Sequence, residues 1–203
     1  MGYSLDPIAD NCYPSTTILI NKLEIKDEAL LNEVEATLVS AKTAIWEQNP
    51  LSCTFDFRHY KDIHGFLFGD IYEWAGQIRT VNISKKGIHF CQYEEIEDLS
   101  SRIFTYLHKH EHFKKLKRKE FLSEIINFYC VTNQLHPFRE GNGRTQRVFI
   151  TQLINNAGYS FDFADVDGDL LMIATIQSAN GVTDLLKELF EQLIPLTKTL
   201  SKG

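Results

Sequence analysis

Hydrophobic residues recur every three to four positions along most of the chain, and this period predicts a mainly α-helical fold. One helix is predicted for residues 27–47 and a second amphipathic helix for residues 57–74. Further helices are predicted for residues 93–110, 142–157, 170–178 and 183–193. The stretch 118–135 is apolar on nearly every side, which predicts the buried central helix of the protein.

One segment departs from the helical period. Residues 77–83 alternate polar and apolar side chains, a turn follows at residues 84–87, and residues 88–91 return as a second strand. The sequence therefore predicts a small, lone β-hairpin within residues 76–92 on a helical body. Such a hairpin is exposed and has free edges, so it can pair with a strand from another chain.

The first 26 residues differ in composition from the rest of the chain. They contain two prolines and a Ser-Thr-Thr run before the apolar residues 18–20, which predicts an extended arm that packs on the body. The whole chain has 203 residues, enough for one compact domain with a sizeable core. We place the arm at residues 1–26 and the domain at residues 27–198.

The composition is that of a soluble globular protein, with 43% hydrophobic and 24% charged residues. No apolar run approaches the roughly 20 residues of a membrane span, so no membrane association is expected. The N-terminus shows no secretory signal and the four cysteines are scattered, which favours a cytoplasmic protein with reduced thiols. The net charge of −6 disfavours direct nucleic-acid binding.

The most informative stretch runs from His136 to Arg147 and combines a titratable base, a carboxylate, two glycines, an asparagine and arginines. A helix is predicted to begin inside it. The glycines therefore lie at a helix N-terminus, where free backbone N–H groups and the helix dipole attract anions. Gly141 and Gly143 allow the backbone to approach a phosphate closely, and Asn142 is a candidate N-cap.

The charged residues of this stretch predict phosphate chemistry. Arg144 and Arg147 lie three positions apart, so on a helix they share a face and can both reach one polyphosphate. Glu140 would repel phosphate unless a divalent cation lay between them, and Mg²⁺ suits one carboxylate plus substrate phosphates. His136 can accept a proton near neutral pH. Each piece alone is an ordinary turn or cap, but together they predict phosphoryl or nucleotidyl transfer.

The stretch resembles the signature of the Fic family, His-x-Phe-x-Asp/Glu-Gly-Asn-Gly-Arg-x-x-Arg, and meets every fixed position. The segment from Ile63 to Arg79, which ends in Trp-Ala-Gly-x-x-Arg, is similar to the part of Fic proteins that precedes their flap. The resemblance covers about residues 50–195, and the length suits the short stand-alone class I members. It implies a single helical Fic domain with a β-hairpin flap at residues 76–92 and an active-site loop at residues 136–147.

The resemblance implies a protein adenylyltransferase, which transfers AMP from ATP to a Ser, Thr or Tyr hydroxyl of a target protein. In such an enzyme His136 takes the hydroxyl proton, and Glu140 holds Mg²⁺ between the α- and β-phosphates. The two glycines and Asn142 form the anion hole. Arg144 and Arg147 neutralise the phosphates, with Arg147 toward the γ end.

Two weaker assignments also follow from the resemblance. Ile88, His89 and Phe90 of the flap are expected to dock the target segment. Gln177 and Asn180 fall where related proteins line the nucleotide base, although an Asn-Gly pair is first of all a turn.

The resemblance also bears on regulation. Self-inhibited relatives carry a Ser/Thr-x-x-x-Glu-Gly/Asn helix, which we do not find in this sequence, since Thr183 is followed four positions later by Lys187. We therefore expect either constitutive activity or restraint by a small separate antitoxin, as in members that act as toxins. Three alternatives stay open: a Fic relative that transfers UMP, phosphate or phosphocholine, a non-catalytic binding module, and a helical DNA-binding regulator. The kinase-like branch has Lys in place of Gly143, which disfavours phosphate transfer.

Overall fold

The computed structural model describes residues 4–5, 11–49, 53–85 and 87–198. Within these ranges the protein is mainly α-helical, which confirms the predicted fold class. The helices are α1 (Glu28–Gln48), α2 (Phe57–Phe68), α3 (Ile96–Lys109), α4 (Arg118–Leu135), α5 (Asn142–Asn156), α6 (Gly168–Ala179) and α7 (Asp184–Leu193). The strands are β1 (Ser4–Leu5), β2 (Ile83–Lys85) and β3 (Ile88–His89), which form one antiparallel sheet in that order.

Aspartate side chains begin three of the helices. Asp27 accepts a hydrogen bond from the backbone N–H of the third residue of α1, and Asp56 and Asp167 cap α2 and α6 in the same way. Caps of this kind stabilise a helix by about 1 kcal/mol each. They explain why these helices begin where a polar residue precedes an apolar run.

The core is centred on α4. Phe121, Ile125 and Leu135 of this helix are fully buried, which confirms that it is the central helix. Helices α3, α5, α6 and α7 pack around α4, and α2 packs on α5 and α1. None of the helices in the described part of the chain combines the length and the apolar character that crossing a bilayer requires.

Helix α2 is shorter than the predicted 57–74. It ends at Phe68, and the chain turns at Gly69, after which the N–H groups of Ile71 and Tyr72 both donate to the carbonyl of Phe68. Ile71 and Tyr72 lie in this turn and are also buried, so the apolar spacing in the sequence continues past the end of the helix. The turn lets Tyr72 reach α1, where its hydroxyl donates to Glu35.

The hairpin is also shorter than predicted, and Lys86 at its tip lies outside the described residues. Residues 77–82 are not a strand because Arg79 is drawn into the body. Its side chain donates to the carbonyls of His136 and Val81 at 2.9 and 2.7 Å. Because the Arg79 side chain is buried against these two carbonyls, residues 77–82 do not form the backbone hydrogen bonds of a regular strand.

The predicted hairpin is confirmed, but the expectation that it stands alone is wrong. Strand β1 pairs antiparallel with β2, and Ser4 lies opposite Ser84. On the other side of the hairpin, the Gln134 side chain at the end of α4 donates to the carbonyl of His89 at 3.2 Å. Each edge of the hairpin therefore has a partner from elsewhere in the chain.

The N-terminal region contacts the body but folds back on itself. The backbone of Cys12 bridges that of Leu19 in antiparallel fashion, and Leu19 and Ile25 pack against the core. Residues 11–20 therefore form a turn rather than an extended arm, while residues 1–3 and 6–10 lie outside the described ranges. The division between an arm and a domain at residue 26 stays a prediction.

Candidate active site

His136 ends α4 in the left-handed backbone conformation, with φ of 40°. Arg79 fixes this geometry by donating from Nε to the His136 carbonyl at 2.9 Å. The imidazole Nδ1 lies 3.0 Å from the carbonyl oxygen of Asn133. A carbonyl only accepts, so we infer that Nδ1 carries the hydrogen and donates it. The other ring nitrogen, Nε2, is then left as a proton acceptor.

The surroundings of His136 keep its ring neutral. Burial lowers the pKa of His136 to about 3, with Arg79 and Lys85 acting in the same direction and the hydrogen bond to Asn133 opposing them. Phe90 of the flap stacks on the imidazole with 3.6 Å between ring centroids. The ring is therefore unprotonated at neutral pH, and the flap covers it.

Asn142 closes the active-site loop instead of capping α5, so the N-cap prediction for this residue is wrong. Its Oδ1 accepts from the Phe138 N–H at 2.8 Å, and its Nδ2 donates to the Phe138 carbonyl at 2.7 Å. Gly141 takes the N-cap position with φ of 79°, where a Cβ would lie 2.3 Å from the Phe68 ring. Helix α5 has no side-chain cap, so the amides of its first turn have no side-chain partner.

Stacked aromatic rings support the loop from below. Phe138 is fully buried and stacks on His64, with 3.8 Å between ring centroids. The His64 Nδ1 accepts from the Gly76 N–H at 2.8 Å, so its Nε2–H donates to the Glu140 carbonyl at 3.0 Å. Burial lowers the pKa of His64 to about 3, so this histidine is neutral. These contacts fix the backbone on which the Glu140 carboxylate stands.

Arg144 and Arg147 have different surroundings. The Nη2 of Arg144 lies 2.5 Å from a Glu35 carboxylate oxygen and 3.7 Å from a Glu140 carboxylate oxygen. Its guanidinium also lies over the Phe68 ring, 4.8 Å from the centroid. Burial lowers the pKa of Arg147, and within the described residues no ion pair joins it to a carboxylate. A buried cation in such a place is stabilised by binding an anion.

A cavity of about 680 Å³ opens over the loop. Its polar end is lined by His136, Glu140, Gly141, Gly143, Arg144 and Arg147. Its apolar end is formed by the turn before α6 and by α6 itself, with Phe163, Ala164, Val166, Leu171, Met172 and Ile176. Lys85, Ile88 and Phe90 of the flap line one side. The cavity thus combines a cationic end that suits phosphates with an apolar end that suits a flat ring.

Three residues singled out from the sequence lie outside the cavity lining. His89 is exposed on β3. Gln177 and Asn180 are exposed at the end of α6, where the Gln177 carbonyl accepts from the Asn180 N–H at 3.0 Å and closes a turn. The roles of these residues in docking and base binding stay predictions. Leu171 and Met172, earlier on the same helix, line the cavity.

Sequence reasoning missed three buried polar residues that hold the loop: Glu35, Tyr72 and Arg79. Glu35 did leave a signal in the sequence. It lies four residues from Leu31 and four from Val39, so the apolar stripe of α1 contains an acid. A charged residue in such a stripe is seldom buried unless it is paired.

Glu140 is the residue that fits a magnesium ion. Among the described residues, no group of three or more His, Cys, Asp or Glu side chains could hold a metal ion. A single carboxylate beside a phosphate site nevertheless suits Mg²⁺, which is commonly bound by one or two carboxylates together with substrate phosphates. One oxygen of Glu140 accepts from the Gly141 N–H at 2.9 Å, which orients the carboxylate.

Comparison with known proteins gives the family. Residues 54–154 match the model of the Fic/DOC family. The protein adenylyltransferase VbhT of Bartonella schoenbuchensis is 39% identical over 189 residues, which cover 93% of this chain and 39% of VbhT. A probable protein adenylyltransferase of Sinorhizobium fredii, y4lH, is 37% identical over 87% of this chain and 89% of its own. The chain therefore spans less than half of VbhT but most of y4lH.

Solved structures agree with this relationship. BepC of Bartonella tribocorum, crystallised with AMPPNP, has a TM-score of 0.85 and 28% identity over 93% of this chain and 97% of its own. A Fic domain from Bartonella quintana with bound ADP has a TM-score of 0.87 and 26% identity over 94% of this chain and 96% of its own. Together with the sequence relatives and the complete signature, these likenesses show that the chain belongs to the Fic/DOC family.

Proposed function

We propose that this chain is a protein adenylyltransferase, which transfers AMP from ATP to a side-chain hydroxyl of a target protein. The observation that carries the proposal is one cavity lined by a neutral histidine, by an arginine that has no carboxylate partner among the described residues, and by a helix N-terminus without a side-chain cap. Relatives between 30% and 39% identical are named as certain or probable protein adenylyltransferases. Two structural neighbours were crystallised with AMPPNP and ADP, which are adenine nucleotides.

In the proposed reaction His136 is the general base. The target oxygen attacks the α-phosphorus, its proton passes to Nε2 of His136, and the bond to the departing pyrophosphate breaks. The Nδ1–H bond to the Asn133 carbonyl holds the ring in the required tautomer and stabilises the imidazolium that forms. The hydrogen bond from Nε of Arg79 to the His136 carbonyl keeps the ring in place during this transfer.

The phosphates bind at the cationic end of the cavity. The amides of Gly141, Asn142 and Gly143 form the anion hole at the start of α5, where the Gly141 N–H must first release the Glu140 oxygen that accepts from it at 2.9 Å. Arg147 supplies positive charge toward the γ-phosphate. Glu140 would hold Mg²⁺ together with phosphate oxygens, and that ion supplies further neutralisation of the phosphate charge.

The adenine base is placed at the apolar end. Leu171 and Met172 of α6, with Phe163 before it, offer an apolar surface for a flat ring. Gln177 and Asn180 are kept as weaker candidates, because the base-lining role rests on the family resemblance alone.

We place the docking of the target at the flap, through Ile88, His89 and Phe90. In this structure Phe90 covers the ring of His136, and β1 occupies the edge of β2. A target segment must therefore move Phe90 before its hydroxyl reaches Nε2. If it adds to the sheet at β2, it must also replace β1.

A small inhibitory partner, such as an antitoxin, is part of the proposal. A second cavity of about 460 Å³ lies between α1 and α5, and Arg144 and Arg147 line it. Its α1 side is formed by the small residues Ala36, Ser40, Thr43 and Ala44. Glu47 and Asp162 also line this cavity, so its shape rather than its net charge suits a partner helix. Such a helix would offer a carboxylate to Arg147 and block the phosphate site. We place the enzyme in the cytoplasm, where ATP and reduced thiols are found.

Labelled nucleotides test the proposed reaction. The purified chain is incubated with Mg²⁺, a bacterial lysate and ATP that carries ³²P at either the α or the γ position. If the chain transfers AMP, target proteins become radioactive when ATP carries ³²P at the α position and do not when ATP carries it at the γ position. Label from the γ position would replace the proposal with phosphate transfer, and label from α-labelled UTP in place of ATP would replace it with UMP transfer. The His136→Ala variant serves as the background control.

A further inference from the structure

Helix α1 carries a carboxylate that is buried against the active-site loop. Glu35 is 6% exposed and lies on the apolar face of the helix with Leu31 and Val39. Burying a charge costs several kcal/mol unless the charge is paired and hydrogen-bonded. The partners of Glu35 therefore show which groups stabilise its buried charge.

Both oxygens of Glu35 have partners. Oε1 lies 2.5 Å from Nη2 of Arg144, and Oε2 accepts from the hydroxyl of Tyr72. Burial, and then the neighbouring Glu35 carboxylate, raise the pKa of Tyr72, so the phenol keeps its proton and donates it. Tyr72 itself is anchored by stacking on Trp74, with 4.4 Å between ring centroids. The carboxylate is thus held on one side by a fixed phenol and binds the arginine on the other.

Arg144 is restrained on three sides. The Phe68 ring lies under its guanidinium, Glu35 binds Nη2, and Glu140 lies 3.7 Å from the same nitrogen. Two nearby carboxylates compensate its single charge, whereas Arg147 has no ion pair to a carboxylate among the described residues. Since Arg144 still lines the main cavity, its remaining donors are held in place beside Glu140.

We infer that Glu35 and Tyr72 are positioning residues for Arg144. The inference rests on the proposed function and assigns different roles to Arg144 and Arg147. Arg147 provides the uncompensated charge that sets the affinity for ATP. Arg144, fixed by Glu35, orients the triphosphate next to Glu140 for the transfer step. Orientation affects the rate of transfer more than ground-state binding, because displacements of about 1 Å from the reactive geometry can cost about 100-fold in rate.

Two conservative variants test this inference. Glu35→Gln keeps the shape of the side chain and removes its charge, and Tyr72→Phe removes only the hydroxyl. The readout is the initial rate of labelling of lysate proteins from α-labelled ATP over a range of ATP concentrations. For Glu35→Gln we expect the maximal rate to fall about 10-fold or more while the KM for ATP changes by less than about 3-fold. Tyr72→Phe should show the same pattern with a smaller loss.

Controls separate positioning from general destabilisation. Glu33→Gln makes the same change at an exposed position of α1 and should leave the kinetics unchanged. Thermal melting shows whether each variant is folded at the assay temperature. In the Arg144→Lys background, Glu35→Gln should cause little further loss, because the two residues act as one unit.

The outcomes distinguish this inference from the proposed function. Absence of labelling by the wild-type chain would overturn both. Wild-type labelling with an unchanged maximal rate in folded Glu35→Gln would overturn the positioning role alone, and so would losses that simply add in the double variant. Tighter binding of ATP by Glu35→Gln, measured by calorimetry, would also overturn it, since Glu35 would then be competing with the nucleotide for Arg144.

Discussion

His136 depends on its neighbours for both its neutral state and its orientation. Burial keeps the proton off the ring, and the Asn133 carbonyl selects which nitrogen carries the hydrogen. His64 below the loop is neutral for the same reason, although its nitrogens bind backbone groups on both sides. Two buried neutral histidines in one site have a measurable consequence for stability.

We predict that acid destabilises the fold through these histidines. The unfolded chain protonates them below about pH 6.5, whereas the folded protein keeps His136 and His64 neutral down to about pH 3. The contribution of these two histidines to the free energy of unfolding is therefore complete above about pH 6.5. Below this pH the free energy of unfolding falls, by up to about 1.4 kcal/mol per pH unit for each histidine. Urea unfolding of the wild type at pH 7 and pH 5 measures this loss.

A pair of variants identifies the source of that loss. His64→Gln removes one titrating group, so its free energy of unfolding should change less between pH 7 and pH 5. His89→Gln replaces an exposed histidine of β3 and serves as the control. An equal acid loss in His64→Gln and the wild type would show that His64 is not held neutral by the fold.

The two arginines give a second prediction. Arg147→Ala should weaken ATP binding about 10-fold or more, because it removes a cavity-lining cation that has no carboxylate partner among the described residues. Titration calorimetry with Mg²⁺ and ATP measures the effect. Arg102→Ala, at an exposed position of α3, is the matched control and should leave the affinity unchanged. Equal affinity in Arg147→Ala and the control would contradict the assigned role.

The sequence predicted which loop residues meet in the site but not what holds them. His136, Glu140 and the two arginines are adjacent in the chain, and the structure places all of them on one cavity wall. Glu35 was missed because its partner Arg144 lies 109 positions away in the sequence, and no local pattern reports such a pair. Arg79 was part of the recognised segment, but its carbonyl contacts become visible only in three dimensions.

At the scale of secondary-structure elements, the flap differs most from the prediction. Alternating side chains suggested longer strands, but the burial of Arg79 restricts β2 to residues 83–85. The pairing of β2 with residues 4–5 was also unpredicted, because it joins segments about 80 positions apart and depends on backbone groups rather than on side-chain pattern. The starts of α2, α4 and α5 were predicted to the residue, although of these three only α2 has an aspartate cap.

We predict that β1 limits access to the flap. Deleting residues 1–10 removes the strand that pairs with β2 and exposes that edge to a target segment. The rate of protein labelling from α-labelled ATP should therefore rise, while the affinity for ATP stays unchanged because β1 pairs with the flap rather than with the loop of residues 136–147. A lower rate in the folded deletion variant would show instead that β1 supports the flap. The same deletion combined with His136→Ala gives the background.

At the scale of the whole molecule, helices packed around α4 bring distant segments to one cavity. Helix α4 ends at His136, α5 begins at Asn142, and α6 supplies apolar residues of the cavity lining. The helical periods predicted this body, since they require a buried central helix. They could not predict how α1 lies against α5, which places Glu35 beside Arg144 and forms the second cavity.

The most direct test of the account is the intact mass of proteins in a bacterial lysate after incubation with this chain, Mg²⁺ and ATP. The account predicts that a target gains the mass of AMP with the wild-type chain and gains nothing with His136→Ala, although that variant binds ATP as the wild type does. A gain of phosphate mass, or a gain of AMP that persists in His136→Ala, would contradict it.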